Sequence, residues 1–485
     1  MKTILTLSPK NVWKHFHSLT QIPRPSGFMQ PVTEFLLNFG RDLELESFID
    51  DAGNVIIRKP ATPGMETRKG IILQAHMDMV PQKNNDTTHN FEKHPIQTYI
   101  DDDWVKAKGT TLGADNGLGV AAIMAVLEDN NLKHGLLEAL ITKDEETGMF
   151  GAFGLRPATI NGEILLNLDS EDEGELFIGC AGGLDINATK LYQEVKPLEH
   201  HIAFKVTLKG LRGGHSGLEI DKGRANANKL MVHFLYEATQ RGARLADWQG
   251  GNMRNAIPRE VQTVVTVPAA DKESFLKSVA GFEAMCNEEY KAVETPISFK
   301  AEQVELPQGI VPLDVQDALI QAIYACPNGV IRMIPTIPDT VETSSNLAII
   351  SIGNGEASIK ILARSSSDNM KADLANSLES CFKMIGMTVE RGGDYSGWQP
   401  NFDSPILHAM KASYKKQFGK EPEVKVVHAG LECGIIGSTI KGLDMISFGP
   451  TLRSPHSPDE RVYIPSVAKF YDFLVATLEN TPVKE

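Results

Sequence analysis

Cysteine is scarce in this chain: five in 485 residues (Cys180, Cys286, Cys326, Cys381, Cys433), far apart and with no CxxC pair. That excludes a disulfide framework and a thiolate metal cluster, and it points to a reducing compartment. Long apolar runs are missing as well. Nowhere do about eighteen apolar residues stand together, and the opening MKTILTLSPKNVWKHFHSLTQ has no sustained apolar stretch after its lysine, so no membrane span or secretory leader is expected. Basic charge is in deficit, 48 Lys and Arg against 62 Asp and Glu for a net charge of -14, which argues against a nucleic-acid groove. Internal repeats and low-complexity segments are also lacking. What remains is a soluble cytoplasmic protein, 42% hydrophobic and too long for one ordinary domain, so two or three are expected.

The most informative stretch is IILQAHMDMV, residues 71–80, where a short apolar run delivers His76 and Asp78. Residues two apart on a strand share a face, so Asp78 can accept the proton on the imidazole nitrogen that faces away from a metal held by His76. Read alone, the pair is equally a polar strand edge. Before it, residues 9–20 and 31–43 have helical spacing, the second behind a proline suited to a first turn, and DDAGNVIIRKP reads as a turn and a strand. His15 and His17 read as packing or surface residues.

GTTLGADNGLGVAAIMAVLEDN, 109–130, sets Asp115 between Gly113 and Gly117 at the start of an apolar helix. Asp115 is there either an N-cap or a ligand held on a closely approaching backbone. The glycine spacing does not match a phosphate-cradling loop. In LLEALITKDEETGMFGAFGL, 136–155, an apolar strand runs into Asp144, Glu145 and Glu146, and in EILLNLDSEDEGELFIGCAGG, 163–183, another runs into Asp169. Acids crowded at such a point form a solvated turn or, beside a cation, a ligand and a proton acceptor. Four successive strands ending in His76, Asp115, Glu145/Glu146 and Asp169 would converge, because open α/β sheets bind ligands outside their carboxyl strand ends. His456, fixed between two prolines in SPHSPDE, becomes a fifth candidate. Such a set of imidazole and oxygen donors suits Zn²⁺, Mn²⁺ or Co²⁺. Cys180 and Cys433 read as small buried residues rather than nucleophiles, and Glu432 as a pocket residue.

Past residue 185 the character shifts to alternating strands and helices, among them FKVTLKGLRGGHSG, 204–217, with His215 in its glycine-rich bend. This reads as an α+β domain with antiparallel strands, and the tail then returns to the first style.

QAHMDMVPQKNND, GTTLGADNG, DEETGMFGAFGL, NLDSEDEGE, KGLRGGHSG, NMRNAIPRE, HAGLECG and GPTLRSPHSPDERV together resemble the dizinc metallopeptidases that include aminoacylases and carnosinases, nearly end to end. The resemblance implies a discontinuous α/β catalytic domain of zinc-peptidase type, a mixed sheet flanked by helices, over 1–187 and 396–485, with an inserted α+β lid over 188–395. It implies two divalent ions, zinc first and Co or Mn as alternatives: His76, Asp115 and Asp169 around one, Asp115, Glu146 and His456 around the other. Glu145 matches the general base and Asp78 the residue that orients His76. His215 matches a histidine that reaches the active site, often from a partner subunit, while Asn255, Arg364 and Gly430 match substrate-holding positions. The lid is roughly twice the length usual in the wider family. A homodimer hydrolysing unblocked dipeptides, Xaa-His and β-Ala-His included, is the implied function. N-acyl amino acid deacylation is the alternative with the same chemistry, and a catalytically inactive binding protein is the alternative of another class.

Overall fold

The apolar stretches of the first half become neighbouring strands. In the computed structural model, which describes residues 3–484, an eight-stranded sheet runs in the order Glu46–Ile49, Val55–Lys59, Leu137–Thr142, Ile71–His76, Ile164–Asn167, Asp444–Ser447, Glu175–Cys180, Glu423–Val427. Residues 1, 2 and 485, the outermost positions of the expected first domain, lie outside the described residues.

The four middle strands of this sheet are mutually parallel, and antiparallel strands flank them on both sides. Ile71–His76, Leu137–Thr142 and Ile164–Asn167 are buried along their whole length, as strands covered on both faces must be. Helix Ala114–Glu128 is apolar on every side, so it can be stable only when enclosed. It packs against strand Ile71–His76 and helix Lys10–Thr20. Helix Gln30–Asp42 begins with its proline in the first turn, where the missing N–H is harmless. His15 proves to be a packing residue, buried and 2.9 Å from Glu128.

Two compact units emerge: Met1–Gly179, Trp398–Val426 and Leu431–Glu485 form the first, Cys180–Gly397 and Val427–Gly430 the second. The expected division at 187/188 falls inside strand Gly182–Leu191, all of which belongs to the second unit. The second unit is built on a nine-stranded antiparallel sheet in which Val341–Gly353, Glu356–Ser365 and Gly182–Leu191 are adjacent. Helices Ala227–Gln240, Lys272–Glu289, Leu313–Ala325 and Asp368–Lys383 complete its own core. Asn226 caps the first of these helices by accepting from the amides of Asn228 and Lys229.

Candidate metal centre and active site

The parallel strands of the first unit all end on one side, and their carboxyl ends deliver the acids and histidines singled out in the sequence. His76 closes its strand and is 1% exposed. Its Nε2 lies 3.0 Å from Asp115 Oδ1 and 3.4 Å from Asp169 Oδ1. The other oxygen of Asp115 lies 3.2 Å from His456 Nε2, which is in turn 2.9 Å from Glu146 Oε2. One carboxylate thus presents one oxygen to a His–Asp set and the other to a His–Glu set.

Asp115 reaches this position near a helix start on closely approached backbone, but neither as an N-cap nor at a strand end. The preceding strand, Trp104–Ala107, ends well before it, and the N-cap position is taken by Gly113 at φ 69°; Asp115 lies two residues further on, with non-helical φ -80° and ψ 110°. The Asp115–Asn116 peptide is cis. The Asn116 side-chain amide donates to the Leu168 carbonyl at 2.8 Å and to the Asp169 carboxylate, tying the Asp115 and Asp169 segments together. His456 sits in left-handed backbone at φ 57°, a conformation that costs a non-glycine residue roughly 1–3 kcal/mol and is retained where the surroundings enforce it.

Asp78 is fully buried beneath His76, its Oδ1 3.4 Å from His76 Nδ1. It accepts from the Ser26 hydroxyl at 2.8 Å and from the amide of Glu145 at 3.1 Å. Glu145 and Glu146 open a one-turn helix, Glu145–Gly148. Their side chains part company: Glu146 engages His456, whereas no described residue hydrogen-bonds the Glu145 carboxylate.

Burial pushes the Glu145 carboxyl well above its ordinary range, and Asp169, Glu432 and Glu146 add to the push against His76. Burial likewise lifts Asp169 to about 6 and Glu171, with the help of Asp115 and Asp169, to about 7. His456 moves the other way, up to about 11, on its hydrogen bonds to Asp115 and Glu146. Burial would lower His76, but Asp169, Asp115 and Asp78 hold it well above its usual value.

Excess negative charge gathered around two imidazoles calls for cations. The donor atoms of His76, Asp115 and Glu146 lie within 4.8 Å of one another, and the buried Glu146 Oε1 has no hydrogen-bond partner. Imidazole nitrogens and carboxylate oxygens at this spacing fit divalent ions, which would displace the imidazole protons that now balance the acids.

One layer below, sequence reading missed a buried polar chain. Glu432, 1% exposed, accepts from Gln74 Nε2 at 2.6 Å and Thr142 Oγ1 at 2.8 Å. Asn167 donates to Gln74 Oε1 at 2.5 Å, and Ser447 donates to Asn167 Oδ1 at 2.5 Å. The chain crosses all four parallel strands, so one polar residue near the end of each apolar strand was its only trace in the sequence.

The second unit carries the remaining candidates. His215 Nδ1 accepts the amides of Gly217 at 3.1 Å and Leu218 at 3.0 Å, which assigns the proton of the neutral ring to Nε2. Burial, then the nearby Arg364, lowers His215 to about 4. Gly217 passes so close to the His428 carbonyl that a Cβ would stand 2.0 Å from it, so the His215 bend and the 427–430 segment with Gly430 fit only through this glycine. Arg364, 5% exposed, lies in strand Glu356–Ser365 and donates from Nη1 to the Tyr395 hydroxyl at 3.0 Å, while its Nε has no partner. Asn255 is exposed; it and His215 line a cavity of about 690 Å³. His428, buried and 2.7 Å from Ser344 Oγ, had not been singled out.

Comparison with known proteins identifies the family. The chain is 44% identical over 487 residues to the cytosol non-specific dipeptidase of Escherichia coli (strain K12), covering 100% of both. Its fold superposes on the crystal structure of aminoacylhistidine dipeptidase from Vibrio alginolyticus with a TM-score of 0.93 and 43% identity, over 100% of this chain and 99% of that one. Aminopeptidase PepT from Bacillus cereus shares the fold at 17% identity, with a TM-score of 0.57 over 98% of this chain and 99% of that one. The profile described as Peptidase family M20/M25/M40 matches residues 72–480, and the chain belongs to that family.

Proposed function

We propose that this protein hydrolyses unblocked dipeptides with a pair of divalent metal ions, Xaa-His and β-Ala-His among its substrates. The observation that carries the reading is the two-faced Asp115, one oxygen toward His76 and Asp169 and the other toward His456 and Glu146. Those five residues would hold the ions, with Asp115 as bridge and zinc, cobalt or manganese as the metals their donors suit. When bound, the ions polarise the scissile carbonyl and lower the pKa of the attacking water.

Glu145 is the residue free to handle that water's proton. Among the described residues none hydrogen-bonds its carboxylate, which leaves it free to take a proton and return it to the leaving amine. Glu146, its neighbour, is committed to His456. Asp78 orients His76 through Nδ1 and, by accepting the Glu145 amide, ties the base to the same anchor.

The second unit is assigned the lid, with substrate-side roles. Arg364 would grip the substrate carboxylate, Asn255 and Gly430 would line its pocket, and the Nε2–H of neutral His215 would donate to the developing oxyanion. A homodimer in the cytoplasm completes the proposal. The Escherichia coli relative is named for the cytosol, and among the described residues no helix is long and apolar enough to cross a membrane.

The test is a panel of dipeptides and N-acyl amino acids assayed after chelation and re-addition of Zn²⁺, Co²⁺ or Mn²⁺. Metal-restored cleavage of dipeptides is expected. Cleavage of N-acyl amino acids alone, or none in metal-replete protein, would refute the reading, and light scattering reports the dimer.

A further inference from the structure

Glu460 is 2% exposed, yet among the described residues no cation forms an ion pair with it. Its carboxylate instead receives four consecutive backbone amides: Oε2 accepts from Leu112 at 2.7 Å and Gly113 at 2.9 Å, Oε1 from Ala114 at 2.8 Å and Asp115 at 3.2 Å. Both of its oxygens are thus engaged as acceptors by backbone donors. On the opposite side of the same segment lies Arg24, also 2% exposed. Its Nη2 donates to the Gly113 carbonyl at 2.5 Å, and its Nη1 donates to the carbonyls of Met77 and Asp78, each at 3.1 Å.

These contacts explain the glycines of GADNG, which match no phosphate loop. A Cβ on Gly113 would stand 2.6 Å from Arg24 Nη2, and one on Gly117 would stand 2.5 Å from it. Only a backbone without side chains there lets the guanidinium between the segment ending in Asp115 and the strand end carrying His76 and Asp78. Arg24 is itself fixed, because the Met79 amide donates to its carbonyl at 3.1 Å. Glu460, for its part, follows His456 by four residues, so the loop that delivers His456 is anchored on the backbone that delivers Asp115.

We propose that Glu460 and Arg24 form a two-sided clamp that sets the bridging Asp115 in register with His76 and His456. Both are positioning residues, since neither touches a donor atom of the metal centre. Glu460 takes the N–H groups of the segment and Arg24 its carbonyl, so Asp115 is located by backbone and its carboxylate needs no bond of its own to stay in place. The inference rests on the metal-centre reading above, and it assigns to that centre the two residues that make it rigid before an ion arrives.

The experiment is metal binding to chelator-stripped full-length protein, by calorimetry with Zn²⁺ and by the visible absorption of bound Co²⁺. Glu460→Gln keeps the shape but replaces one acceptor oxygen by an amide that cannot accept. Its affinity should fall about ten- to a hundredfold, the usual scale for a lost outer partner of a ligand. The Co²⁺ bands at saturation should shift as well, which a merely loosened fold would not produce. Glu460→Asp, which keeps both acceptor oxygens, should recover part of the loss, and Asp459→Asn, an exposed neighbour in the same loop, should bind as the wild type does. Should Glu460→Gln fail to fold, Arg24→Lys reads the same clamp from the other side, with charge kept and the fork lost. Wild-type affinity and spectrum in a folded Glu460→Gln or Arg24→Lys would overturn the clamp alone, as would an equal loss in Asp459→Asn. A wild type that binds no metal would overturn the metal centre and the clamp with it.

Discussion

Arg364 offers the sharpest test of how substrate is chosen. It is 5% exposed, and its described hydrogen bonding amounts to a neutral Tyr395 hydroxyl at 3.0 Å, with Nε unpartnered. The acid it acts on, Asp185, already lies 3.4 Å from Arg254. A buried guanidinium so thinly satisfied is poised to take an external carboxylate. One charge-assisted hydrogen bond of that kind contributes about 1.5–3 kcal/mol, and ~1.36 kcal/mol is a factor of ten, so the carboxylate grip should be worth roughly ten- to a hundredfold in kcat/KM. A C-terminal amide on β-Ala-His or Ala-His should lose that factor in the wild type, and a tripeptide, whose next residue would stand where the guanidinium sits, should be poor too. Arg364→Ala should close the gap between free and amidated dipeptide chiefly by damaging the free one. The assay is kcat/KM for each pair in both proteins. An unchanged preference in the variant would mean that another group reads the carboxylate.

Glu145→Gln should keep its full metal complement, because the proposal assigns Glu145 no ion, while kcat falls at least about a hundredfold; metal loss or near-normal turnover would refute the division of roles with Glu146. Asp115→Asn should weaken both metal positions and His456→Ala chiefly one, so elemental analysis giving equal losses would count against the bridge. Burial, then Arg364, pushes His428 down to about 3 in the folded chain, against about 6.5 when unfolded. The unfolded chain therefore binds the extra proton between those values, so stability falls as pH drops from about 6.5 toward 3. His428→Gln removes this contribution, and denaturant unfolding near pH 7 and near pH 5 should show a smaller acid penalty in the variant; an equal penalty refutes the assignment.

Much of the candidate metal centre was legible because its proposed donors obey a local rule. His76, Glu146 and Asp169 each follow an apolar strand, and three such strands lie side by side, so residues near their ends must meet. The fourth member of that parallel set, Asp444–Ser447, comes from the far end of the chain, and it is followed by the loop that carries His456. Asp115 was recognised from its flanking glycines, although the reason for those glycines, the approach of Arg24, lies almost ninety residues earlier in the sequence, between Arg24 and Gly113.

What the sequence by itself determined was therefore whatever is encoded by neighbours along the chain: apolar strands, the acids and histidines after them, the buried helix behind Asp115, and the change to alternating strands past residue 185. Tertiary structure alone decided the partners of polar groups. Gln74 interrupts an otherwise apolar strand and reads as a flaw until strand register sets it beside Asn167, and the further fold brings Glu432 to its amide. Glu460 looks like a loop acid until it meets four amides some 345–348 residues away. A buried donor or acceptor must find a partner, but nothing in its own stretch of chain says which one. Periodicity reports which face of an element is buried, and only the packed fold reports what that face meets.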